Sequence, residues 1–153
     1  MTKVFVNYRN GDEPFGAILI HLFLANVLGD ENVFRSSSSI RPGDDFVEHI
    51  TAAIQHCDVF LSVIGCRWMS VTDRDGRPRI RNAGDWVLRE LSMAFDERKR
   101  VVPVLLGGAT MPRSADLPPE IAALSRCQYR RLDPRQFLGD MALLCSDVRA
   151  LAY

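Results

Sequence analysis

Neither sign of charge is in excess in this sequence of 153 residues, because 19 lysines and arginines balance 19 aspartates and glutamates. A chain without a basic excess lacks the long-range attraction that draws proteins to nucleic acids and to anionic membrane surfaces. We therefore expect neither nucleic acid nor a membrane as a partner. Specificity for any other partner has to come from local features of the surface.

Long hydrophobic runs are also missing. No stretch approaches the roughly 20 apolar residues of a membrane span, and the opening MTKVFVNYRN lacks the apolar core of a signal peptide. With 47% apolar and 25% charged residues, the composition is that of a globular protein, which we expect in the cytoplasm. The length predicts a single domain over residues 1–153.

Cysteine and histidine are scarce. The four cysteines are widely spaced and form no C-x-x-C pair, so we expect reduced thiols in or near the core. The three histidines add no metal-ligand spacing, and His49 and His56, seven apart on a predicted helix, are expected at the surface or its edge. The sequence therefore predicts no metal site.

Several nucleotide-binding and catalytic motifs are absent as well. No G-x-G-x-x-G follows the first predicted strand and no G-x-x-x-x-G-K-[ST] occurs, which argues against a Rossmann dinucleotide site and a P-loop. No G-x-S-x-G elbow supports a serine hydrolase. The third predicted strand ends in SVIG, without the aspartate that a response-regulator receiver needs there.

Apolar runs and amphipathic segments alternate along the chain. Runs rich in β-branched and aromatic residues predict five strands, at 3–8, near 33–34, and at 58–65, 100–108 and 127–132. Strands that are apolar on both faces and alternate with helices indicate a parallel sheet covered on both sides. We expect a flavodoxin-like three-layer α/β fold whose five parallel strands have the order 2-1-3-4-5, with ligands binding at the carboxyl edge of the sheet.

Helical spacing predicts the segments between the strands. Helices are expected from Pro14 to about Gly29, over 46–54, from Asp85 onward, and over 134–151. In the first of them, one apolar stripe recurs at helical spacing, and we expect it to be the buried face: Phe15, Ile18, Leu19, Leu22 and Phe23.

The segment RNAGDWVLRELSMAF, residues 81–95, contains the main candidate for chemistry. Asp85 is placed to cap a helix, and the core stripe of that helix includes Val87 and Leu91. Trp86 and Glu90 are four residues apart, so they are neighbours on one flank of the helix. One interpretation is a binding site, in which an aromatic ring lies beside a carboxylate that faces an open cleft. The other is an ordinary helix flank, with a boundary glutamate next to a half-buried tryptophan.

Five segments in order resemble those of the TIR domain family (Toll/interleukin receptor and plant resistance type), in its bacterial, NAD-consuming form. VFVNYRNGD is similar to the opening strand and loop, although the family usually has Ser where Asn7 stands. The other four segments follow with matching spacing between Lys3 and Leu132: VFRSSSSIRPGDDF with the BB loop, CDVFLSVIGCRWM, DWVLRELSMAF with the W-x-x-x-E spacing, and RVVPVLLGG.

The resemblance implies an NAD+ nucleosidase, with NAD+ as substrate and no cofactor, that works as a homo-oligomer through TIR–TIR contacts including the BB loop at about 35–45. By position, Glu90 is the catalytic glutamate and Trp86 flanks the nicotinamide pocket. The remaining substrate-binding residues implied are Tyr8 and Arg9 in the first loop, and Ser38 and Arg41 in the BB loop. Arg9 and Arg41 are equally interpretable as solvated arginines.

One departure from the family pattern concerns the BB loop, because many bacterial relatives have acids where Ser36 and Ser38 stand. A less negative ribose side of the pocket leaves the product open between ADP-ribose and a cyclic product. Two other functions stay open at this point. One is a non-enzymatic TIR adaptor that docks on other TIR domains, and the other is a nucleoside deoxyribosyltransferase, which also uses a glutamate.

Overall fold

The computed structural model describes residues 1–36 and 42–152. Within them, five strands form one parallel sheet: β1 (Val4–Asn7), β2 (Val33–Arg35), β3 (Val59–Ile64), β4 (Arg100–Leu106) and β5 (Arg130–Leu132). Their order in the sheet is β2-β1-β3-β4-β5. The predicted flavodoxin-like arrangement is therefore confirmed.

The helices lie on both faces of this sheet: α1 (Pro14–Leu28), α2 (Phe46–His56), α3 (Trp86–Asp96) and α4 (Phe137–Leu151). α1 has proline in its first turn and stops at Gly29, whose φ of 95° is a conformation that favours glycine. α2 and α3 both begin after an aspartate whose carboxylate accepts from free backbone amides, Asp45 in α2 and Asp85 in α3. None of the helices described is both long and apolar enough to cross a bilayer.

The two faces of the sheet have separate cores because successive strand residues point to opposite sides. Val4 and Val6 of β1 pack with α1 and α4, whereas Phe5 packs with α2 and α3. Asn7, two residues after Phe5, shares the α2 and α3 side. β1 pairs with β3 in a register that aligns Asn7 with Ser62, so two polar residues lie side by side on this face.

The predicted buried face of α1 is wrong for three of its five residues, whereas Ile18 and Phe23 are half-buried and Phe23 packs against the core. Phe15, Leu19 and Leu22 are 78%, 51% and 60% exposed, while the residues that pack on the sheet are Ala17, Ile20, His21, Leu24 and Leu28. α1 carries no charged aspartate, glutamate, lysine or arginine, so apolar spacing fits either side of this helix equally well. Contact with the sheet and α4 selects the side that is buried.

Smaller corrections concern the C-terminal third and the cysteines. The fifth strand is only three residues long, and a short 3-10 turn at 134–136 precedes the last helix. Cys57 and Cys145 are buried free thiols as expected, but Cys66 follows β3 and is exposed. His49 and His56 lie half-exposed and exposed on α2, as predicted.

Candidate functional site

A cavity of about 400 Å³ opens at the carboxyl edge of the sheet, where the fold predicts ligand binding. Its walls come from the loop after β1, the residue after β2, the segment between β3 and α3, and the first turn of α3. The lining residues are Tyr8, Arg9, Asn10, Gly11, Ser36, Val71, Arg79, Gly84, Asp85, Trp86 and Val87. The structure therefore brings three of the predicted site residues together here: Tyr8, Arg9 and Trp86.

Arg9 and Asp85 form a bidentate ion pair in the wall of this cavity. Nη1 and Nη2 of Arg9 donate to Oδ1 and Oδ2 of Asp85 at 2.8 and 2.7 Å. Both side chains are nearly buried, at 2% and 6% exposure. Asp85 also accepts from the Leu88 amide at 3.1 Å, which confirms its role as helix cap. The interpretation of Arg9 as a solvated arginine is wrong.

Trp86 lies between two side chains at the start of α3. The Phe46 ring meets it edge-on with centroids 5.2 Å apart, and the Arg89 guanidinium lies 4.3 Å from the centroid of its ring. These contacts fix the half-buried indole in the cavity wall. Arg89 is exposed and stacks on Trp86, which accounts for its place on the helix flank.

The BB-loop side of the cavity is described only in part. Tyr8 lies in the wall with the Arg35 guanidinium 6.0 Å from its ring centroid, and Ser36 lines the same cavity. Ser38 and Arg41, the other two predicted site residues, lie outside the described residues.

Glu90 lies deeper than the open cleft that its predicted role calls for. Its side chain is 4% exposed, and Asn7 Nδ2 donates to its Oε1 at 2.8 Å. The cavity is lined by Trp86, one helical turn before Glu90, and by Tyr8, the residue after Asn7. The carboxylate itself does not line the cavity. It is also more buried than a boundary glutamate would be.

Burial raises the pKa of Glu90 from 4.5 to about 7, because the charged form loses its hydration in this setting. The hydrogen bond from Asn7 acts in the opposite direction, since it stabilises the carboxylate. The negative charge of Asp85 adds a smaller upward effect. A glutamate that titrates near neutral pH beside a cavity is a typical candidate for chemistry.

Asn7 is a site residue that the sequence analysis missed. The amide lies at the end of the buried run VFVN, and Ser62 interrupts the buried run VFLSVI. The Ser62 hydroxyl donates to Asn7 Oδ1 at 3.4 Å. A polar residue inside an otherwise apolar strand was the available signal, because buried polar groups need partners. Its partner Glu90, 83 residues away, could not be read from the sequence.

Asp12 was missed too, and it shapes the cavity indirectly. Its carboxylate accepts from the backbone amides of Gly65 and Arg67 at 2.7 and 2.8 Å, which ties the loop after β1 to the loop after β3. A Cβ at Gly65 would come within 2.3 Å of Glu13 Cγ, so this close approach favours glycine. The first loop is thereby held where Tyr8 and Arg9 face the cavity.

Several solved structures have a similar fold. The TIR domains of the activated Roq1 resistosome, which directly recognises the pathogen effector XopQ, align over 100% of both chains at 14% identity and a TM-score of 0.62. The TIR domain of the Toll-related receptor TRR-2 from Hydra magnipapillata aligns over 97% of this chain and 99% of its own, at 17% identity and a TM-score of 0.62.

A metazoan TIR-STING receptor from C. gigas, solved with 2',3'-cGAMP, aligns over 97% of this chain and 38% of its own, at 21% identity and a TM-score of 0.58. At these identities the likeness shows the fold. No curated protein matches the chain. The family model described as "TIR domain" matches residues 4–139. This match covers most of the sequence and agrees with the sheet order, so the chain belongs to the TIR domain family.

Proposed function

We propose that this TIR domain is an NAD+ nucleosidase, or a cyclase, that cleaves the bond between ribose and nicotinamide and uses Glu90 as its catalytic residue. The observation that carries the proposal is the position of Glu90. A carboxylate shielded from water lies one helical turn from Trp86, which lines an aromatic-walled cavity at the edge of the sheet where ligands bind. NAD+ is then the substrate, and the proposal requires no cofactor.

The chemistry explains why one carboxylate suffices. Cleavage of a glycosidic bond passes through a state with positive charge spread over the ribose ring. Nicotinamide leaves as a neutral molecule, so no acid is needed to protonate it. A single carboxylate close to the ribose stabilises the developing cation, and it does so most strongly where water is excluded. Capture of the cation by water gives ADP-ribose, and capture by the adenosine half gives a cyclic product.

The cavity walls offer suitable partners for the rest of the substrate. Tyr8 and Trp86 are aromatic surfaces against which a flat nicotinamide ring packs. Arg9 and Arg79 add positive charge for a pyrophosphate, although the charge of Arg9 is balanced by Asp85. Ser38 and Arg41 are assigned to the substrate by their position in the family pattern alone.

Opening of the site is a necessary part of this proposal, because substrate has to reach a side chain that is 4% exposed. A cavity of about 400 Å³ is near the lower end of the range for ligand sites, about 300–1,000 Å³. We propose that self-association, with the BB loop at about 35–45 in the contact, rearranges the start of α3 and admits NAD+. A dilute monomer is then expected to turn over little substrate.

A second candidate is a TIR adaptor that docks on other TIR domains without catalysis. The closed position of Glu90 and the pairing of Arg9 with Asp85 favour it, since both groups are already engaged within the protein. The aromatic cavity beside a glutamate of raised pKa favours the enzyme, because docking requires neither feature. For the enzyme, the biological role we propose is antiphage defence by NAD+ consumption or by a nucleotide signal.

The experiment that tests the enzyme is nicotinamide release from NAD+ at high protein concentration. We expect Glu90→Gln to lower the rate at least about 100-fold, because it removes the charge that stabilises the cation and leaves the shape. Glu97→Gln is the matched control, since Glu97 lies at the exposed end of the same helix, and it should keep the full rate.

Equal release by the wild type and Glu90→Gln would exclude Glu90 as the catalytic residue. No release at any concentration, together with concentration-dependent association, would favour the adaptor. Adding a deoxynucleoside and a free base to the same assay separates the third function, because base exchange would identify a deoxyribosyltransferase.

A further inference from the structure

We propose that Asn7 is a positioning residue for Glu90: together with Ser62, its carboxamide holds the glutamate carboxylate in one orientation and keeps it available in its charged form. The contact itself stands on the geometry of the sheet and of α3. Its consequence for catalysis rests on the proposed function of Glu90.

The fold presents Asn7 to Glu90 in a defined way. Strand alternation directs Asn7 to the α3 side of the sheet, and the β1–β3 register places Ser62 beside it. Asn7 is 1% exposed, Ser62 is fully buried and Glu90 is 4% exposed, so water competes little for these bonds. The three side chains form a chain from β3 through β1 to α3.

The chemistry of the amide makes this arrangement directional. Asn7 has an NH2 group that donates and a carbonyl oxygen that accepts. Nδ2 donates to Glu90 at 2.8 Å, and Oδ1 accepts from the Ser62 hydroxyl at 3.4 Å. The reversed amide would set its oxygen against the carboxylate. A charged acceptor strengthens the bond to Nδ2, so the orientation of Asn7 and the charge of Glu90 support each other.

Without such a donor, a buried carboxylate loses its charge, because an isolated ion is costly in a dry site. The negative charge of Asp85 raises the pKa of Glu90, although its ion pair with Arg9 offsets part of that charge. Other charged groups on the segments around α3 lie in other places. His49 and His56 line a cavity with Lys3, Arg79 lines the cavity described above, Arg81 donates to the Asp116 carbonyl, and Glu120 lines a surface depression with Arg89.

The first test measures the titration of Glu90 directly, by 13C NMR of the glutamate carboxyl groups. The Glu90 signal is identified as the one that Glu90→Gln removes. We expect Asn7→Leu, which has nearly the same size and no donor, to raise the midpoint by about one pH unit or more, because a hydrogen bond to a charged group is lost. Asn7→Ser, which keeps a donor, should restore part of this difference.

Asn32→Leu is the matched control. Asn32 is a buried asparagine that donates to the Leu28 carbonyl at 2.7 Å, on a segment away from the site. Its loss disturbs a buried amide to a similar degree and should leave the Glu90 midpoint unchanged. If Asn7→Leu does not fold, Asn7→Ala decides the question, since it removes the same donor without adding apolar bulk and should also raise the midpoint. An unchanged midpoint in the folded Asn7 variant would overturn the proposal.

The second test follows the pH profile of nicotinamide release. With Asn7→Leu we expect kcat at pH 7 to fall at least about 5-fold and the profile to move to higher pH, because fewer Glu90 side chains are ionised. KM should stay within about twofold, since Asn7 does not line the cavity. A purely structural role would lower kcat equally at all pH values and would overturn the proposal.

The two tests separate this inference from the proposed function. If Glu90→Gln retains the full rate while Asn7→Leu still moves the Glu90 midpoint, the catalytic role of Glu90 is wrong and the positioning contact is right. If Glu90→Gln abolishes the rate and Asn7→Leu moves neither the midpoint nor the profile, the enzyme is right and the positioning role is wrong.

Discussion

α1 and α3 pack on opposite faces of the same sheet and differ in how their sequences specify the buried side. α3 has charged residues along its exposed side, including Arg89 and Asp96, and an aspartate that fixes its start. α1 has no charged residue and no side-chain cap. The polar residues of an amphipathic helix, rather than its apolar ones, therefore determine which side faces the core.

The two helices also differ in the polar groups that they bury. α3 buries an ion pair at its start and a glutamate in its second turn, whereas the buried side of α1 is apolar apart from His21. We expect substitutions in α3 to act through charge and substitutions in α1 to act through packing. Three measurements of stability test this difference.

The largest effect is expected for Asp85→Ala. This change removes the cap of α3 and leaves the Arg9 guanidinium buried without its partner, so we expect a loss of about 3–5 kcal/mol in the free energy of unfolding. Asp45→Ala is the control, because Asp45 caps α2 in an exposed position and has no arginine partner among the residues described.

Asp45→Ala should cost only about 1 kcal/mol. Urea unfolding followed by circular dichroism measures both variants. Equal losses would show that capping, and not the buried pair, accounts for the role of Asp85.

The next effect concerns packing in α1. Leu24→Ala should cost about 3 kcal/mol, because Leu24 is fully buried against the sheet and its truncation leaves a void. Leu19→Ala is the matched exchange on the opposite side of the helix, where Leu19 is 51% exposed, and it should cost less than about 1 kcal/mol. The same unfolding measurement distinguishes them. A larger loss for Leu19→Ala than for Leu24→Ala would show that the side predicted from the sequence is the buried one.

The effect that depends on pH is expected for Glu90→Gln, and it is small at the acid end of the range. The folded pKa of Glu90 is about 7 and its ordinary value is 4.5, so the native protein keeps a proton that the unfolded chain has released between these values. Stability of the wild type therefore falls as pH rises through this window. Relative to the wild type, Glu90→Gln should gain up to about 3 kcal/mol between pH 4.5 and pH 8.

Thermal or urea unfolding at several pH values between 4.5 and 8 measures this gain. Glu97→Gln, which replaces an exposed glutamate, should show no such trend. A constant difference between Glu90→Gln and the wild type across the window would mean that Glu90 titrates as an ordinary glutamate.

Local signals predicted much of this molecule. The strands, the start of α3 and the capping role of Asp85 follow from residues close together in sequence, and the sheet order follows from the alternation of strands with helices. The site depended on contacts between distant residues. Arg9 and Asp85 are 76 positions apart, and Asn7 and Glu90 are 83 apart, so neither pair is visible before the chain folds. Spacing alone also left Glu90 on a helix flank, and only packing against β1 shows that it is buried.

The exposed apolar side of α1 has a practical consequence for handling the protein. A chain with no net charge and an isoelectric point near 6.8 has little electrostatic repulsion between molecules at neutral pH. Molecules can then associate through the exposed apolar side chains of Phe15, Leu19 and Leu22. Concentrated samples should precipitate most readily close to pH 6.8, and a mildly alkaline buffer should keep them clear.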